Sequence, residues 1–208
     1  MRDCKQTLVC VGVAVVVALV GLAQAQAFEE LNAKVSLPPM AKPAAKPVGY
    51  KWISLKNGED DYILTKIAEK GGLETWKLID GCSFTRPASE LFATEVKWTS
   101  CSGPDGTQDV KLNGEVWPLQ VGKTWSEDYS GTNDRGRTWS STNKCTVESQ
   151  VRVKVKAGEF DTYKVVCNDT WNKRISYISP ERGIRVYYIR EHSKRGGKYE
   201  LVREELPK

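Results

Sequence analysis

The sequence predicts an all-β protein, a single antiparallel meander that forms a curved sheet, half-barrel or sandwich. Short runs of alternating apolar and polar residues recur along the chain, with turn-forming residues about every eight to twelve positions. No window shows a sustained helical period, which argues against long helices. Seven Trp, eight Tyr and four Phe supply large apolar surfaces for one core.

Residues 1–27 have the three-part pattern of a secretory signal peptide. Basic residues precede an apolar run from Leu8 to Ala23, and two overlapping small-x-small motifs end at Ala25 and Ala27. The apolar run has sixteen residues, whereas a membrane-spanning helix needs about 20. We therefore expect cleavage after Ala25 or Ala27, which leaves a protein that is not integral to the membrane.

Residues 28–48 carry four prolines among Ala and Lys, a composition that predicts an extended, semi-rigid linker. The β domain is expected to span residues 49–208. Its first hairpin turns at Asn57-Gly58, a strong hairpin signal. The run after that turn is the best helix candidate, but its neighbours favour a strand. The predicted strand runs are YKWISLK, DYILTKIA, LETWKLID, EVKWTSC, QDVKL, VWPLQVGKTWSEDYS, RTWSS, CTVESQVRVKVK, FDTYKVVC, KRISYIS, IRVYYIREH and YELVREEL.

Four cysteines remain after the signal segment, and in an oxidising compartment they are expected to form two disulfides. Four cysteines allow three connectivities, of which the shortest loops give Cys82–Cys101 and Cys145–Cys167. A zinc site is the alternative, but the chain has no C-x-x-C motif and its only histidine is His192. No metal or other cofactor is therefore expected.

The stretch VRVKVKAGEFDTYKVVC, residues 151–167, predicts a hairpin with two possible registers. A two-residue loop of Ala157 and Gly158 sets Val153 opposite Thr162, whereas a three-residue loop from Ala157 to Glu159 sets Val153 opposite Tyr163. Valine gains roughly 0.2–1 kcal/mol from such an aromatic partner, so the three-residue loop is favoured. Gly158 then supplies the left-handed residue that this kind of loop usually needs.

The favoured register bears on the second disulfide. It sets Cys167 opposite Ser149, four residues from Cys145, which at about 3.3 Å per residue is roughly 13 Å. The Cα atoms of bonded cysteines lie within about 7 Å of each other. A Cys145–Cys167 bond therefore requires a bulge between Cys145 and Gln150, and otherwise another pairing such as Cys101–Cys145 forms. Mass mapping of disulfide-linked peptides distinguishes the two.

Three landmarks follow one another in the second half of the chain: WPLQVGKTW (residues 117–125), AGEFDTYKVVC (residues 157–167) and SYISPERGIRVYY (residues 176–188). In this order they resemble a group of uncharacterised bacterial exported proteins with a G-x-F-x-x-Y-K-V hairpin and a Y-x-x-P-x-x-G-x-x-V hairpin. The likeness covers about the last hundred residues and implies a periplasmic or secreted β-domain of unknown function, with no catalytic residues to carry over. The structural turn residues of these hairpins are Gly158, Pro180 and Gly183.

Aromatic residues are the stronger candidates for a site, because the sequence has no G-x-S-x-G elbow, P-loop or calcium loop. His192 lies at a strand end beside a basic turn, where a surface role is expected. Exposed Trp and Tyr can stack on sugar rings or line a lipid cavity. Most of the tryptophans are expected in the core. The candidate ligand-binding residues, at or near the polar loop 131–137, are Trp125, Trp139 and Tyr129.

The chain has a formal net charge of +5, and residues 171–208 hold ten Lys/Arg against five Glu. Such an excess can meet an anionic envelope surface, or it is a solvated sheet face with lysine-guarded edges. The sequence favours an exported protein, periplasmic or secreted, that binds a lipid, a glycan or another envelope component without catalysis. The alternative is a polysaccharide hydrolase, which needs two carboxylates about 5–9.5 Å apart in a cleft. Export and the small charge excess argue against nucleic acid as a partner.

Overall fold

The computed structural model describes residues 28–193 and 196–207, so the predicted signal peptide, residues 1–27, lies outside the described residues. The described chain forms thirteen β-strands, and none of its residues is helical. The prediction of an all-β fold is confirmed. The strands are β1 (Glu29–Leu31), β2 (Lys51–Lys56), β3 (Asp60–Lys70), β4 (Leu73–Leu78), β5 (Ser83–Pro87), β6 (Lys97–Thr99), β7 (Gly106–Asn113), β8 (Thr124–Asn133), β9 (Thr138–Val155), β10 (Gly158–Asn168), β11 (Lys173–Ser179), β12 (Ile184–Glu191) and β13 (Gly197–Glu205).

Strands β2 to β13 close into a twelve-stranded antiparallel barrel in which each strand pairs with its neighbours in sequence. The last strand closes the ring by pairing with the first, from Tyr199 opposite Lys56 to Glu205 opposite Lys51. Strand β1 lies outside the ring and pairs with the end of β9. The antiparallel meander is therefore confirmed, and its form is a closed barrel rather than an open curved sheet, half-barrel or sandwich. Closure pairs the two outer edges of the meander with each other.

Burial alternates along the strands and identifies the inward face of the barrel. On β8, Trp125, Glu127 and Tyr129 are buried, whereas Asp128 and Ser130 are exposed. Residues directly opposite one another in a ladder share a face, so the inward positions of the neighbouring strands follow from those of β8. An inner cluster of apolar side chains contains Met40, Phe92, Val116, Leu119, Trp125, Cys145, Val147, Tyr163, Val165, Cys167 and Ile178.

Residues 32–49, which include most of the predicted linker, form no strand but pack on the barrel. Met40 is buried and pairs with Leu119 through two backbone hydrogen bonds, of 2.9 and 2.8 Å. The hydroxyl of Tyr163, on β10, donates to the Pro38 carbonyl at 2.6 Å. Contacts with the barrel therefore begin within this segment, ahead of the predicted start of the β domain.

The β9–β10 hairpin has a different register from the predicted one. Val155 pairs with Gly158 across a two-residue loop, and Val153 lies opposite Phe160 rather than Tyr163. Gly158 has a φ of 126°, which a residue with a side chain rarely adopts. It stands at the first position of β10 rather than inside the loop. Tyr163 instead faces the barrel interior, where it is fully buried.

Contacts with the last strand explain why the three-residue loop is wrong. The Lys156 amide donates to Glu200 Oε1 at 2.7 Å, and the Ala157 amide donates to the Leu201 carbonyl at 3.1 Å. A hydrogen bond contributes about 0.5–1.5 kcal/mol net, so the two together contribute about 1–3 kcal/mol. This is at least as large as the pairing preference of roughly 0.2–1 kcal/mol that favoured the longer loop. Local pairing along the hairpin cannot show contacts that come from β13.

A β-bulge brings the second pair of cysteines together. The β9–β10 ladder shifts by one residue at Glu148, between Lys164 and Val165. Cys167 then lies opposite Cys145, and the two form a disulfide with Cα atoms 4.0 Å apart. In the observed register an unbroken ladder would set Cys167 opposite Thr146, and the one-residue bulge sets it opposite Cys145. The bulge lies between Cys145 and Gln150, as expected, but it supplies only one of the four positions that the mispredicted hairpin register left to be made up. The other disulfide joins Cys82 to Cys101, with Cα atoms 4.2 Å apart.

The same bulge reverses which side chains of β9 face inward. Cys145 and Val147, before it, belong to the inner cluster. Val153, after it, belongs to a second cluster together with Phe28 and Tyr187, whose rings stack with centroids 3.7 Å apart. Strand β1 pairs with the same stretch of β9. The hairpin end and β1 thus cover outward side chains of β11 and β12.

Gly106, on β7, leaves room for one tryptophan. A Cβ at this position would lie 2.4 Å from Cζ2 and 2.8 Å from Cε2 of Trp98. The indole cannot move freely, because its Nε1 donates to the Pro104 carbonyl at 2.9 Å. We expect Gly106→Ala to lower the free energy of unfolding by about 1–3 kcal/mol, the usual cost of overpacking.

Chemical denaturation measures this cost. In a Trp98→Ala background the same substitution should cost much less, because the three nearest atoms all belong to that side chain. An equal cost in both backgrounds would contradict the steric explanation.

Candidate functional site

A pocket lies at one end of the barrel, where three connecting segments meet inward side chains of the strands. The segments are residues 43–46, the stretch 88–96 between β5 and β6, and the turn 180–183 between β11 and β12. The pocket has a volume of about 80 Å³ and is half enclosed. A ligand can therefore place a few atoms inside it and extend into solvent.

The turn at residues 180–183, which the sequence predicts, contributes one side of the pocket. Gly183 has a φ of 64°, a conformation that favours glycine. Its amide donates to the Ser179 carbonyl at 2.9 Å and closes the turn. A Cβ on Gly183 would lie 2.9 Å from Pro43 Cβ, so the turn packs tightly against the segment above the pocket.

Aromatic and aliphatic side chains form most of the pocket wall. Trp52 on β2 and Trp76 on β4 are buried and border the space. The Trp52 indole is fixed in place, because its Nε1 donates to the Arg185 carbonyl at 3.0 Å. Leu64 on β3 and Leu91 in the β5–β6 stretch extend the apolar surface. A wall of this kind suits a ligand with an apolar face.

Residues 43–46 form the roof of the pocket, and polar contacts hold this roof in place. Lys66, which is fully buried, donates from Nζ to the Lys46 carbonyl at 2.6 Å. Lys46 Nζ lies 3.4 Å from a Glu204 oxygen that also accepts from the Tyr50 hydroxyl at 2.6 Å. Burial and this carboxylate raise the pKa of Tyr50, so its hydroxyl remains a proton donor.

Glu74 is a carboxylate of the pocket lining, and two cations neutralise it. It accepts from Arg86 Nε at 2.8 Å and lies 3.4 Å from Lys66 Nζ. Burial raises the pKa of Glu74, but the charge of Arg86, hydrogen bonds to the carboxylate and the charge of Lys66 together outweigh burial, and the pKa is lowered. A carboxylate held ionised in this way is a poor proton donor. The geometry therefore favours ligand binding over general acid catalysis at this carboxylate.

Arg185 is a further cation of the lining, and its charge is not matched in the same way. Its Nη2 donates to the Leu91 carbonyl, and its guanidinium lies 4.7 Å from the ring centroid of Tyr188. Among the described residues, no carboxylate lies within 4.0 Å of it, and its Nε is buried without an acceptor. Burial lowers the pKa of Arg185 to about 10, which leaves it charged at neutral pH.

The predicted ligand-binding residues Trp125, Tyr129 and Trp139 lie on the inward faces of β8 and β9 but outside the pocket lining. Trp125 packs on Phe92 in the inner cluster, with ring centroids 5.2 Å apart. Tyr129 and Trp139 lie farther along, toward the β8–β9 loop, and the Trp139 indole donates to Gln108 at 3.0 Å. The structure does not bring the three into one site, and a ligand-binding role for them stays a prediction.

The pocket residues that sequence reasoning missed carry a weak signal. Trp52 and Trp76 sit inside the predicted runs YKWISLK and LETWKLID, and Arg185 sits inside IRVYYIREH. Arginine is seldom fully buried, so an arginine among apolar residues carries some signal. The same run also contains Arg190, so this signal could not have distinguished Arg185 from it. It could not have shown that β2, β4 and β12 contribute to one pocket.

The basic residues of the C-terminal third are distributed over the fold. Arg174 and Arg185 point into the barrel, and Arg174 lies 3.0 Å from Asp169. Arg182 and Arg203 pair with acidic residues of β13 at 3.0 and 3.1 Å. An anionic surface as partner stays a prediction.

Within residues 28–193 and 196–207, no helix has the length and hydropathy needed to cross a membrane. No three His, Cys, Asp or Glu side chains of these ranges are grouped as a metal site.

No protein-family model and no curated protein sequence matches the chain. Two solved structures are similar to it. The hypothetical lipoprotein YmcC from Escherichia coli is 8% identical, with a TM-score of 0.49, over 80% of this chain and 90% of that one. A protein with a YmcC-like fold from Bacteroides fragilis, inferred to be exported, is 10% identical, with a TM-score of 0.37, over 81% and 100%. Neither similarity bears on the function of the pocket.

Glu127, on β8, is a buried carboxylate elsewhere inside the barrel. Its Oε2 accepts from Thr94 Oγ1 at 2.7 Å and from Asn143 Nδ2 at 3.3 Å. Burial raises the pKa of Glu127, and these hydrogen bonds offset the effect only in part. The ionised form is therefore less favourable in the folded protein than in the unfolded chain.

We expect Glu127→Gln to raise the thermal midpoint of unfolding at pH 7, because glutamine keeps an acceptor oxygen and carries no charge. Since the folded pKa is raised, the stability that Glu127 contributes is complete below its ordinary pKa of 4.5 and is lost as the pH rises through the folded value. The advantage of glutamine should thus be small in acid and grow toward neutrality. Thermal unfolding of both proteins, followed by circular dichroism between about pH 4 and pH 8, measures it. A difference that does not change with pH would contradict the assignment.

Proposed function

We propose that this protein is an exported, non-catalytic binding protein of the bacterial cell envelope, and that it holds a small ligand with an apolar face in the pocket beneath the roof. The observation that supports this proposal is the pocket itself. Ligand sites are concave and mostly apolar, and this half-enclosed pocket leaves about 80 Å³ beside Trp52 and Trp76. A ligand would fill this space and remove the apolar wall from water.

The cysteines support the proposal that the protein is exported. The two disulfides indicate an extracytoplasmic location, because such bonds form and persist under oxidising conditions. The signal peptide that the sequence predicts for residues 1–27 agrees with export. We place the mature protein in the periplasm or outside the cell.

The composition of the pocket wall favours a lipid-like ligand over a glycan. Each sugar hydroxyl that leaves water needs a polar partner. The indole donor of Trp52 is already used by the Arg185 carbonyl, and Leu64 and Leu91 offer the pocket apolar side chains. A chain or ring of carbon atoms matches this wall better.

Binding can be followed through the indole N–H signals of the tryptophans in the ¹⁵N-labelled protein. We expect 1-hexanol, a small neutral amphiphile, to shift the signals of Trp52 and Trp76, because both side chains border the pocket. Trp171, which is 41% exposed and lies elsewhere, serves as the internal control and should not move. Saturation of the Trp52 and Trp76 shifts supports binding in the pocket, whereas signals that do not move would contradict the proposal.

Two neighbouring alanines of the roof provide matched variants. Ala44 borders the pocket, while Ala45 does not and is exposed. We expect Ala44→Trp to weaken the binding of 1-hexanol about tenfold or more, which corresponds to about 1.4 kcal/mol, because the new ring occupies the opening. Ala45→Trp should leave the affinity unchanged. Equal affinities in the two variants would contradict binding beneath the roof.

A further inference from the structure

Arg86, Arg174 and Arg185 lie on inward faces of the barrel, and the first two have a carboxylate partner. Arg86 Nε lies 2.8 Å from Glu74, and Arg174 Nη2 lies 3.0 Å from Asp169. Arg185 differs, because the part of the chain that the structure describes places no carboxylate within 4.0 Å of its guanidinium. The unmatched charge lies at the pocket.

The contacts of Arg185 leave part of its hydrogen-bonding capacity unused. Nη2 donates to the carbonyl of Leu91, which also lines the pocket, and the Tyr188 ring covers one face of the guanidinium. Nε is buried and has no acceptor. The charged groups that act on Arg185 from neighbouring elements are Arg86, Arg174 and Glu95.

Two like charges and one opposite charge therefore surround this guanidinium. A buried charge is costly unless it is paired and hydrogen-bonded, and groups kept in such a state are concentrated at functional sites. The planar guanidinium binds carboxylate or phosphate through two parallel N–H···O bonds. An anion in the pocket would supply the missing charge and accept from the guanidinium where it borders the pocket.

We propose that the pocket selects an anionic amphiphile, whose acid group binds the Arg185 guanidinium and whose apolar chain or ring packs against Trp52 and Trp76. This inference rests on the proposed function, since it names the ligand class for the same pocket. The volume of about 80 Å³ accommodates the acid group and a few carbon atoms. The remainder of the ligand extends through the open side beneath the roof.

Four six-carbon probes test the charge preference by the same indole N–H titration. Hexanoate and hexyl phosphate should bind about tenfold or more tightly than 1-hexanol, and hexylamine should bind most weakly. Whichever of the two acids binds more tightly identifies the source of the anion, a free carboxylate or a lipid phosphate. If 1-hexanol binds as tightly as both acids, the charge preference is refuted while the pocket stands. If none of the probes moves Trp52 or Trp76, the proposed function fails as well.

Substitution of the arginine separates recognition from a structural role. We expect Arg185→Met to lose the preference for hexanoate over 1-hexanol, to keep the affinity for 1-hexanol, and to unfold at the same or a higher temperature, because a buried unpaired charge is gone. Arg185→Lys should keep part of the preference. Arg135→Met, which removes an exposed arginine from the β8–β9 loop away from the pocket, is the matched control and should behave as the parent protein.

A preference for hexanoate that survives in Arg185→Met would overturn the inference. If Arg185→Met does not fold, the Arg185→Lys variant tests the inference instead. The inference would be overturned if that variant bound hexanoate no more tightly than 1-hexanol.

Discussion

The pairing of β13 with β2 joins the two ends of a long meander, and the inside of the molecule exists only because of that ladder. Closure turns the alternation of side chains along every strand into a wall with an inner and an outer face. Side chains alone fill a barrel of about eight strands, whereas wider barrels leave internal space. This ring has twelve strands, and connecting segments fill part of the space: Met40 from the stretch before β2 and Phe92 from the stretch between β5 and β6 both join the inner cluster. The pocket is the space beside these segments that no side chain of the described residues occupies.

The bulge at Glu148 is a second constraint, because it lets one long strand serve two cores. Strand β9 has eighteen residues, more than one side of the barrel needs. Its first part contributes Cys145 and Val147 to the inner cluster, and its last part contributes Val153 to the cluster that β1 covers. A regular strand would keep the same alternate positions on one face throughout. The one-residue shift changes the face and also sets Cys145 opposite Cys167, so the disulfide fixes the strand beside the point where it changes sides.

The sequence was informative wherever local chemistry decides the structure. Turn residues such as Asn57-Gly58 and alternating runs predicted most strands. A bulge between Cys145 and Gln150 was expected and occurs, but it shifts the ladder by one residue, whereas the mispredicted hairpin register left four residues to be made up. The hairpin loop was mispredicted, because its tip is held by β13 through contacts that no local pairing rule contains. The candidate site could not be predicted from the sequence, because it too depends on contacts between distant strands. Trp52, Trp76 and Arg185 come from strands far apart in the chain, and only closure sets them around one space.

The arginines inside the barrel differ in whether a carboxylate of the chain pairs with them, and this difference separates a role in stability from a proposed role in binding. Lys66 and Arg86 both pair with Glu74 beneath the roof, and Lys66 also pairs with Glu69; these pairs connect β3, β4 and β5. Breaking a buried pair of this kind is strongly destabilising, because it leaves one charge unmatched. Arg185 is already in that unmatched state in the ligand-free fold, so its removal is expected to affect stability in the opposite direction. Structural arginines and ligand-binding arginines can therefore be distinguished by the sign of their effect on the ligand-free protein, before any ligand is known. In this barrel the two kinds lie on neighbouring inward faces, and the difference between them is whether the chain itself supplies the carboxylate.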